Sequence, residues 1–294
     1  MAGGGSGWET AKAVAAQPDW LRLVPRDLRL PDGATVVHTG CGTSFHAAQT
    51  GGFAVQALEA VLRAPRADIM VCVSHEGETE LTMEAERAFG GAVWLVTGRA
   101  DSPLAELVDE VIVCTPELER SWCHTASYTC AVAAIAALHG DDIDPLPDAV
   151  AAALAVPAVP FTQSRVVIAG AGRDWPTAQE AALKLREGAW VYAVAIHTEQ
   201  LLHGHLAAID DTFRVYVLEG EGRAAERAAD AVHALGVIGA ETTLVPTSHP
   251  VVDIVGFHLL TLAVAAERGI DPDPIRRGAG SRWADAAGLA YPYE

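Results

Sequence analysis

ATVVHTGCGTS, residues 34–44, is a short apolar, β-branched run that ends in a turn of small residues. A run this short, stopped by glycine, reads as a strand feeding a loop. FHAAQTGGFAVQALEAVL (45–62) then reads as a helix. The unit recurs. DIMVCVSHEGET (68–79) gives a strand and a polar turn, and LTMEAERAF (81–89) a helix. AVWLVTGRADSPLAELV (92–108) gives a strand, a turn at Ser102-Pro103 and a helix, and EVIVCTP (110–116) another strand. SYTCAVAAIAALHG (127–140) is an Ala-rich helix stopped by Gly140. Strands alternating with helices across short turns imply an α/β fold with a parallel, doubly wound sheet.

The pattern then repeats. Residues 141–160 carry four prolines and read as a connection with a short helix. SRVVIAGAGRDWP (164–176) is again a strand and a Gly-rich turn, and TAQEAALKLREGAWVYAVAI (177–196) a helix and its continuation. FRVYVLEGEG (213–222) is a strand and turn, ERAADAVHALG (226–236) a helix, and ETTLVPTS (241–248) a strand. Two copies of one α/β lobe follow: an N-terminal segment at 1–20, a first lobe at 21–150 and a second at 151–294. The Gly-rich start, residues 1–7, is expected to be disordered.

Composition narrows the partners. The net charge is −18, and Lys12 and Lys184 are the two lysines in 294 residues. A duplex-binding surface needs clustered basic residues, so nucleic acid is a poor partner, and an anionic membrane would repel the chain. A small anion remains compatible, because backbone N–H groups can hold it locally. The five cysteines, Cys41, Cys72, Cys114, Cys123 and Cys130, form no CxxC pair and read as buried free thiols of a reducing, cytoplasmic setting. No apolar leader opens the sequence. Val251–Ala266 is apolar but short for a bilayer and reads as a buried helix.

Three Gly-containing turns follow strands: Gly40-Cys41-Gly42-Thr43-Ser44, Ser74-His75-Glu76-Gly77-Glu78-Thr79 and Gly170-Ala171-Gly172-Arg173-Asp174. Ligands of doubly wound sheets bind beyond the carboxyl ends of strands, where helix N-termini and hydroxyls can meet an anion. The same turns also suit plain tight turns and N-caps. None matches the P-loop, and the dinucleotide glycine pattern is not met. Glu180, Lys184 and Glu187, at i,i+4 and i,i+3, share one helix face. By spacing alone that is a solvated, salt-bridged face. Yet Lys184 stands by itself in a chain that solvates itself with arginine and glutamate. His197, Glu199, His203 and His205 follow, but a lone His-x-His is a weak metal signal, and no metal is expected.

These residues resemble the tandem SIS (sugar isomerase) family, and most of all the isomerase domain of glucosamine-6-phosphate synthase and its stand-alone relatives. The landmarks come in the family's order: Gln17-Pro18, Cys41-Gly42-Thr43-Ser44, Ser74-x-x-Gly77-Glu78-Thr79, and Glu119 leading to Thr125. Glu180-x-x-Leu183-Lys184-Leu185-x-Glu187 and Leu202-His203-Gly204-x-Leu206-Ala207 complete the set. The resemblance implies two SIS lobes in a homodimer with shared active sites and no cofactor. It implies a first lobe that cradles a sugar 6-phosphate on the turns containing Cys41, Gly42, Thr43, Ser44, Ser74, His75, Glu76 and Thr79. The residue matching Glu187 would move a proton between C1 and C2 of an open-chain hexose or amino-hexose. The one matching His203 would assist ring opening from the other subunit, and Lys184 and Glu180 would line the cavity. Such chemistry covers isomerases, deaminases and deglycases; the same lobes also serve as non-catalytic sugar-phosphate-binding regulators.

The sequence departs from the family in four places. It carries no glutaminase nucleophile, so a full glutamine-dependent synthase is not expected. Glu76 replaces a phosphate-binding hydroxyl. A carboxylate about 5 Å from a phosphate dianion would be repelled by roughly 6 kcal/mol at an effective dielectric of 20. Glu76 must therefore point away, pair with a cation, to which a protonated His75 could contribute, or mark a different ligand. Gly280 stands where the family has a lysine, with Arg282 nearby, and His205 stands where proline is usual.

Overall fold

The structure, a computed structural model, describes residues 6–290. Of the Gly-rich start, residues 1–5 lie outside the described residues. Gly7 is placed, its N–H donating to Asp271 Oδ1 at 2.9 Å. By packing, residues 12–120, 124–152 and 282–290 form one unit, the first lobe; residues 6–11, 121–123 and 153–281 form the other.

After α1 (Trp8–Leu21), the first lobe runs β1 (Val36–Thr39), α2 (Thr43–Gln49), α3 (Ala57–Leu62), β2 (Ile69–Val73), α4 (Glu80–Ala88), β3 (Ala92–Thr97) and β4 (Glu110–Val113). It continues with α5 (Ala126–Leu138) and α6 (Leu146–Leu154). The second lobe runs β5 (Arg165–Gly170), α7 (Trp175–Ala189), β6 (Tyr192–His197), α8 (Thr198–Leu202), β7 (Phe213–Leu218), α9 (Arg223–Ile238) and β8 (Glu241–Val245). It ends with α10 (Pro250–Asp253) and α11 (Val255–Glu267); α12 (Arg282–Ala290) returns to the first lobe.

Both sheets are parallel. The first has the order β1-β2-β3-β4, and a parallel bridge from His38 to Ala54 adds a one-residue neighbour on the free side of β1. The second has the order β6-β5-β7-β8. In each the chain therefore steps to one side of its first strand and then to the other, which makes the sheet doubly wound and places a crevice at that strand's carboxyl end. All five residues of β2 are buried, as expected for a strand covered on both faces. Its core packs Val37, Met70, Cys72 and Leu95 with Leu104; that of the second lobe packs Val167, Ala169, Val215 and Val217 with Leu235.

Three expectations change. The single helix over 45–62 is two, α2 and α3. Gly51 lies against the His38 ring, where a Cβ would come within 2.3 Å of Nε2, and Gly52 takes φ +102°. The chain between them is extended: His38 N–H donates to Phe53 O and Val55 N–H to His38 O, each at 2.9 Å. The helix expected after Ser102-Pro103 is a series of turns. Its donors go elsewhere, Leu104 N–H to Gly77 O at 3.0 Å and Ala105 N–H to Ser102 Oγ at 3.3 Å. The continuation after α7 is a strand, β6. Trp190 ends the helix in the left-handed region at φ 54°, with Val191 N–H donating back to Leu185 O. The apolar stretch 250–267 has the length and hydropathy of a membrane span, but 56% of it is buried within the fold, as a core helix is.

Candidate active site

In the first lobe, α2 begins directly after the Cys41-Gly42 turn, with Gly42 at φ +53°. Its residues Thr43 and Ser44 line a pocket with about 280 Å³ of free space, together with His75, His124, Ser127 and Tyr128. Cys41, Gly42, Ser74, Glu76 and Thr79 lie in the same two turns. Ser74 is buried, and its Oγ stands 3.5 Å from Thr79 Oγ1.

His75 is held on both sides. Its carbonyl accepts from Gly98 N–H at 2.8 Å and Thr97 Oγ1 at 3.1 Å. Its Nε2 accepts from Glu119 N–H at 2.9 Å, so that nitrogen bears no proton and Nδ1 does. Burial and the neighbouring His124 lower its pKa to about 4, against the pull of Glu119. His75 is thus a neutral imidazole at physiological pH, not the cation that could offset Glu76. Glu76 itself is exposed and is not among the residues lining the pocket. Of the options its sequence position left open, pointing away is the observed one.

Glu119, buried, organises the far wall. Its Oε1 accepts from Thr125 N–H and Oγ1 at 2.8 and 2.9 Å, and its Oε2 from Ser127 N–H and Oγ at 2.8 and 2.7 Å. It caps the N-terminus of α5 and orients Ser127. The sequence shows Glu119 and Thr125 as landmarks but not this clamp; a Glu followed by a Thr-x-Ser at a helix start is the signal for it. Ser127, His124 and Tyr128 were not expected at the pocket.

Gly77 sets the second turn at φ +68°, and a Cβ there would lie 2.0 Å from Ser102 Oγ. Gly77→Ala combines left-handed strain with overpacking and should cost about 3 kcal/mol. A urea-unfolding midpoint unchanged from that of the unsubstituted protein would refute this account of the turn.

In the second lobe, α7 carries Glu180, Lys184 and Glu187, and the face expected to be solvated is buried. Glu180 is wholly buried and the Lys184 side chain is 1% exposed, while that of Glu187 keeps 23%. Lys184 Nζ lies 2.6 Å from Glu187 Oε2 and 3.4 Å from Glu180 Oε1. Burial alone would lower the lysine pKa. The carboxylates of Glu187 and Glu180, with the nearby Cys123, outweigh it and hold the ammonium above its ordinary value. A close crossing drives the burial: a Cβ at Gly188 would come within 2.5 Å of the Thr261 methyl on α11. His258, also on α11, is buried and neutral, its pKa brought down to about 3 by burial, with Glu180 opposing and Lys184 adding to the shift.

His203 stands outside this group. It closes α8, its side chain is 72% exposed, and its Nε2 lies 2.8 Å from Glu199 Oε1. Glu199 is also gripped by Arg227 at 2.7 Å. His197 stacks on Trp175 at 3.6 Å between centroids, and His205 is exposed. Among the described residues, no set of three or more His, Cys, Asp or Glu side chains is arranged to hold a metal. Arg282, considered as a stand-in for the missing lysine, lies exposed over the Trp283 ring.

No protein-family model matches the chain. It is 25% identical, over 89% of its length and 55% of the relative's, to a glutamine–fructose-6-phosphate aminotransferase (isomerizing) of Zymomonas mobilis. The chain thus spans about half the length of the curated relatives it matches. Among solved structures, the C-terminal domain of glucosamine-fructose-6-phosphate aminotransferase from Francisella tularensis superposes with a TM-score of 0.77 at 18% identity, covering 90% of this chain and 98% of that one. A glucosamine-6-phosphate deaminase from Thermotoga maritima gives 0.72 at 17% identity, covering 90% and 97%. With two parallel four-stranded sheets of this winding and these relatives, the chain is a tandem SIS protein that resembles the isomerase domain of glucosamine-6-phosphate synthase.

Proposed function

We propose that this protein is a sugar-phosphate isomerase-type enzyme that moves a proton between C1 and C2 of a hexose or amino-hexose 6-phosphate. The isomerase and deaminase named among its relatives support the class. The observation that carries the reading is the buried Lys184–Glu187 pair, in which Glu187 alone of the three charged residues keeps exposed surface.

The chemistry suits that arrangement. A carboxylate beside a reacting carbon takes the proton α to the carbonyl, leaving an enediol or enolamine, and returns it one carbon away. A fixed ammonium, shielded from water, stabilises the negative charge that develops on the carbonyl oxygen. Lys184 is such a group, held charged by two carboxylates. In the first lobe the hydroxyls of Thr43, Ser44 and Ser127 are neutral donors suited to phosphate oxygens. His203, exposed at the end of α8, is free to serve a second copy of the chain in a homodimer. Gly280 in place of the family's lysine favours a second reading, a sugar-phosphate-binding regulator without turnover.

A thermal-shift panel tests the ligand class. Hexose 6-phosphates and their amino forms, each at a hundredfold excess over Kd, should raise Tm by about 5 °C, and the unphosphorylated sugars should not. Stabilisation by none of them, or equally by the unphosphorylated sugars, would sink the phosphate reading. Stabilisation without any turnover would select the regulator.

A further inference from the structure

Three buried oxygens at the carboxyl end of the second sheet have no hydrogen-bond partner, and none belongs to the site above. They are Asp174 Oδ1, Thr177 Oγ1 and Asp253 Oδ2. Asp174 and Thr177 are wholly buried. Asp174 ends the turn after β5, the strand at which the sheet order reverses. Thr177 follows three residues later and so shares its face on the first turn of α7. Asp253 closes α10, which packs on α7.

The loop after β8 ties the two carboxylates together. Thr247 Oγ1 donates to Asp174 Oδ2 at 3.0 Å; the next residue, Ser248, donates its N–H and Oγ to Asp253 Oδ1 at 2.8 and 3.1 Å. One oxygen of each carboxylate is thereby engaged and the other is not. Burial raises the pKa of Asp174, and burial with the Asp174 charge takes Asp253 to about 6. Arg173 is the cation nearest in effect, and its guanidinium is engaged by Glu221 at 2.6 Å. His249, at the head of α10, offers no positive charge through Nδ1, which accepts from Val251 N–H.

Buried polar atoms without partners are rare, and three converging on one strand end call for a common partner. Two carboxylates and a hydroxyl make an all-oxygen set, which suits hard cations and disfavours zinc or copper. A crevice at a sheet's reversal point is where α/β folds bind ligands. We propose that Asp174, Thr177 and Asp253 form a binding site for a small hard cation, of the alkali or alkaline-earth type, at the carboxyl end of the second lobe's sheet. The ion joins α7, α10 and the 247–248 loop and cancels the repulsion between the two carboxylates.

The test uses the full chain, stripped with a chelator, in thermal unfolding at pH 7.5. Chlorides of Na⁺, K⁺, Mg²⁺ and Ca²⁺ are compared with choline chloride at matched ionic strength. At least one should raise Tm by about 5 °C at saturation. Asp253→Asn and Thr177→Val should each remove most of that rise, and Asp253→Asn should raise the Tm of the stripped protein, since a neutral amide relieves the repulsion. A shared proton is the rival explanation: no salt would then exceed choline, and Tm would climb as pH falls through 6 in all of them. That result overturns the proposal, as does an undiminished response in either variant. Should Asp253→Asn fail to fold, Thr177→Val, which removes one hydroxyl, carries the test.

Discussion

Lys184→Met is expected to cost about 3–5 kcal/mol of stability, the largest loss foreseen for any single substitution here. The methionine fills most of the volume, so packing is not the cause. The loss comes from Glu180, whose carboxylate has no exposed surface and would remain in the core without its cation. Glu187 suffers less, since part of it reaches solvent. Adding Glu180→Gln to Lys184→Met should therefore restore a good part of the loss, a coupling of about 1–3 kcal/mol in a double-mutant cycle. Urea-unfolding midpoints measure both. A Lys184→Met midpoint within error of the parent's would show that the charge is solvated after all. The sign with pH is also fixed. The folded-state pKa of Lys184 is raised, so its contribution is fully present below the unfolded value of about 10.4 and declines only as pH climbs through the higher folded value. No loss from this group is expected between pH 5 and 9.

Much of the architecture was legible because strands buried on both faces leave a plain signal. The run at 69–73 and its repeats announce a parallel sheet by composition alone. The break between α2 and α3 was also written in Gly51-Gly52, but its cause was not. It depends on the His38 ring, thirteen positions back on β1, needing the space a side chain at 51 would fill. The candidate site divides in the same way. Spacing places Glu180, Lys184 and Glu187 on one face, yet i,i+3 and i,i+4 charges look alike whether that face meets water or another helix. What decides is α11, which crosses at Gly188, some seventy residues downstream in sequence. The loneliness of Lys184 was the available hint. Glu76 shows the converse. A turn residue's direction follows from backbone angles, and identity alone could not place that side chain outside the pocket. The neutrality of His75 rests on a backbone N–H at Glu119, a partner that no local pattern supplies.

Glu187→Gln is expected to lower kcat by about 10²- to 10⁴-fold while leaving the fold nearly unchanged. The substitution keeps shape and keeps an oxygen able to accept from Lys184 Nζ, now 2.6 Å from Oε2. It removes only the basicity that proton transfer requires. Stability should hold because Glu180 still balances Lys184, so Tm is expected to move by less than about 3 °C. The informative assay is exchange of the substrate's C2 hydrogen in D₂O, followed by NMR with whichever hexose 6-phosphate stabilises the protein. Exchange reports the proton abstraction itself, before any later step of isomerisation or ammonia release. Glu180→Gln provides the contrast. That carboxylate is sealed from solvent and lies farther from Nζ, so it positions the lysine and does not meet the sugar. Its loss should weaken exchange less than the loss of Glu187 does and destabilise the fold more. If Glu187→Gln kept exchange within tenfold of the parent, the acid on α7 with access to a ligand would not be the base. The buried pair would then be structural, and the regulator reading would take its place.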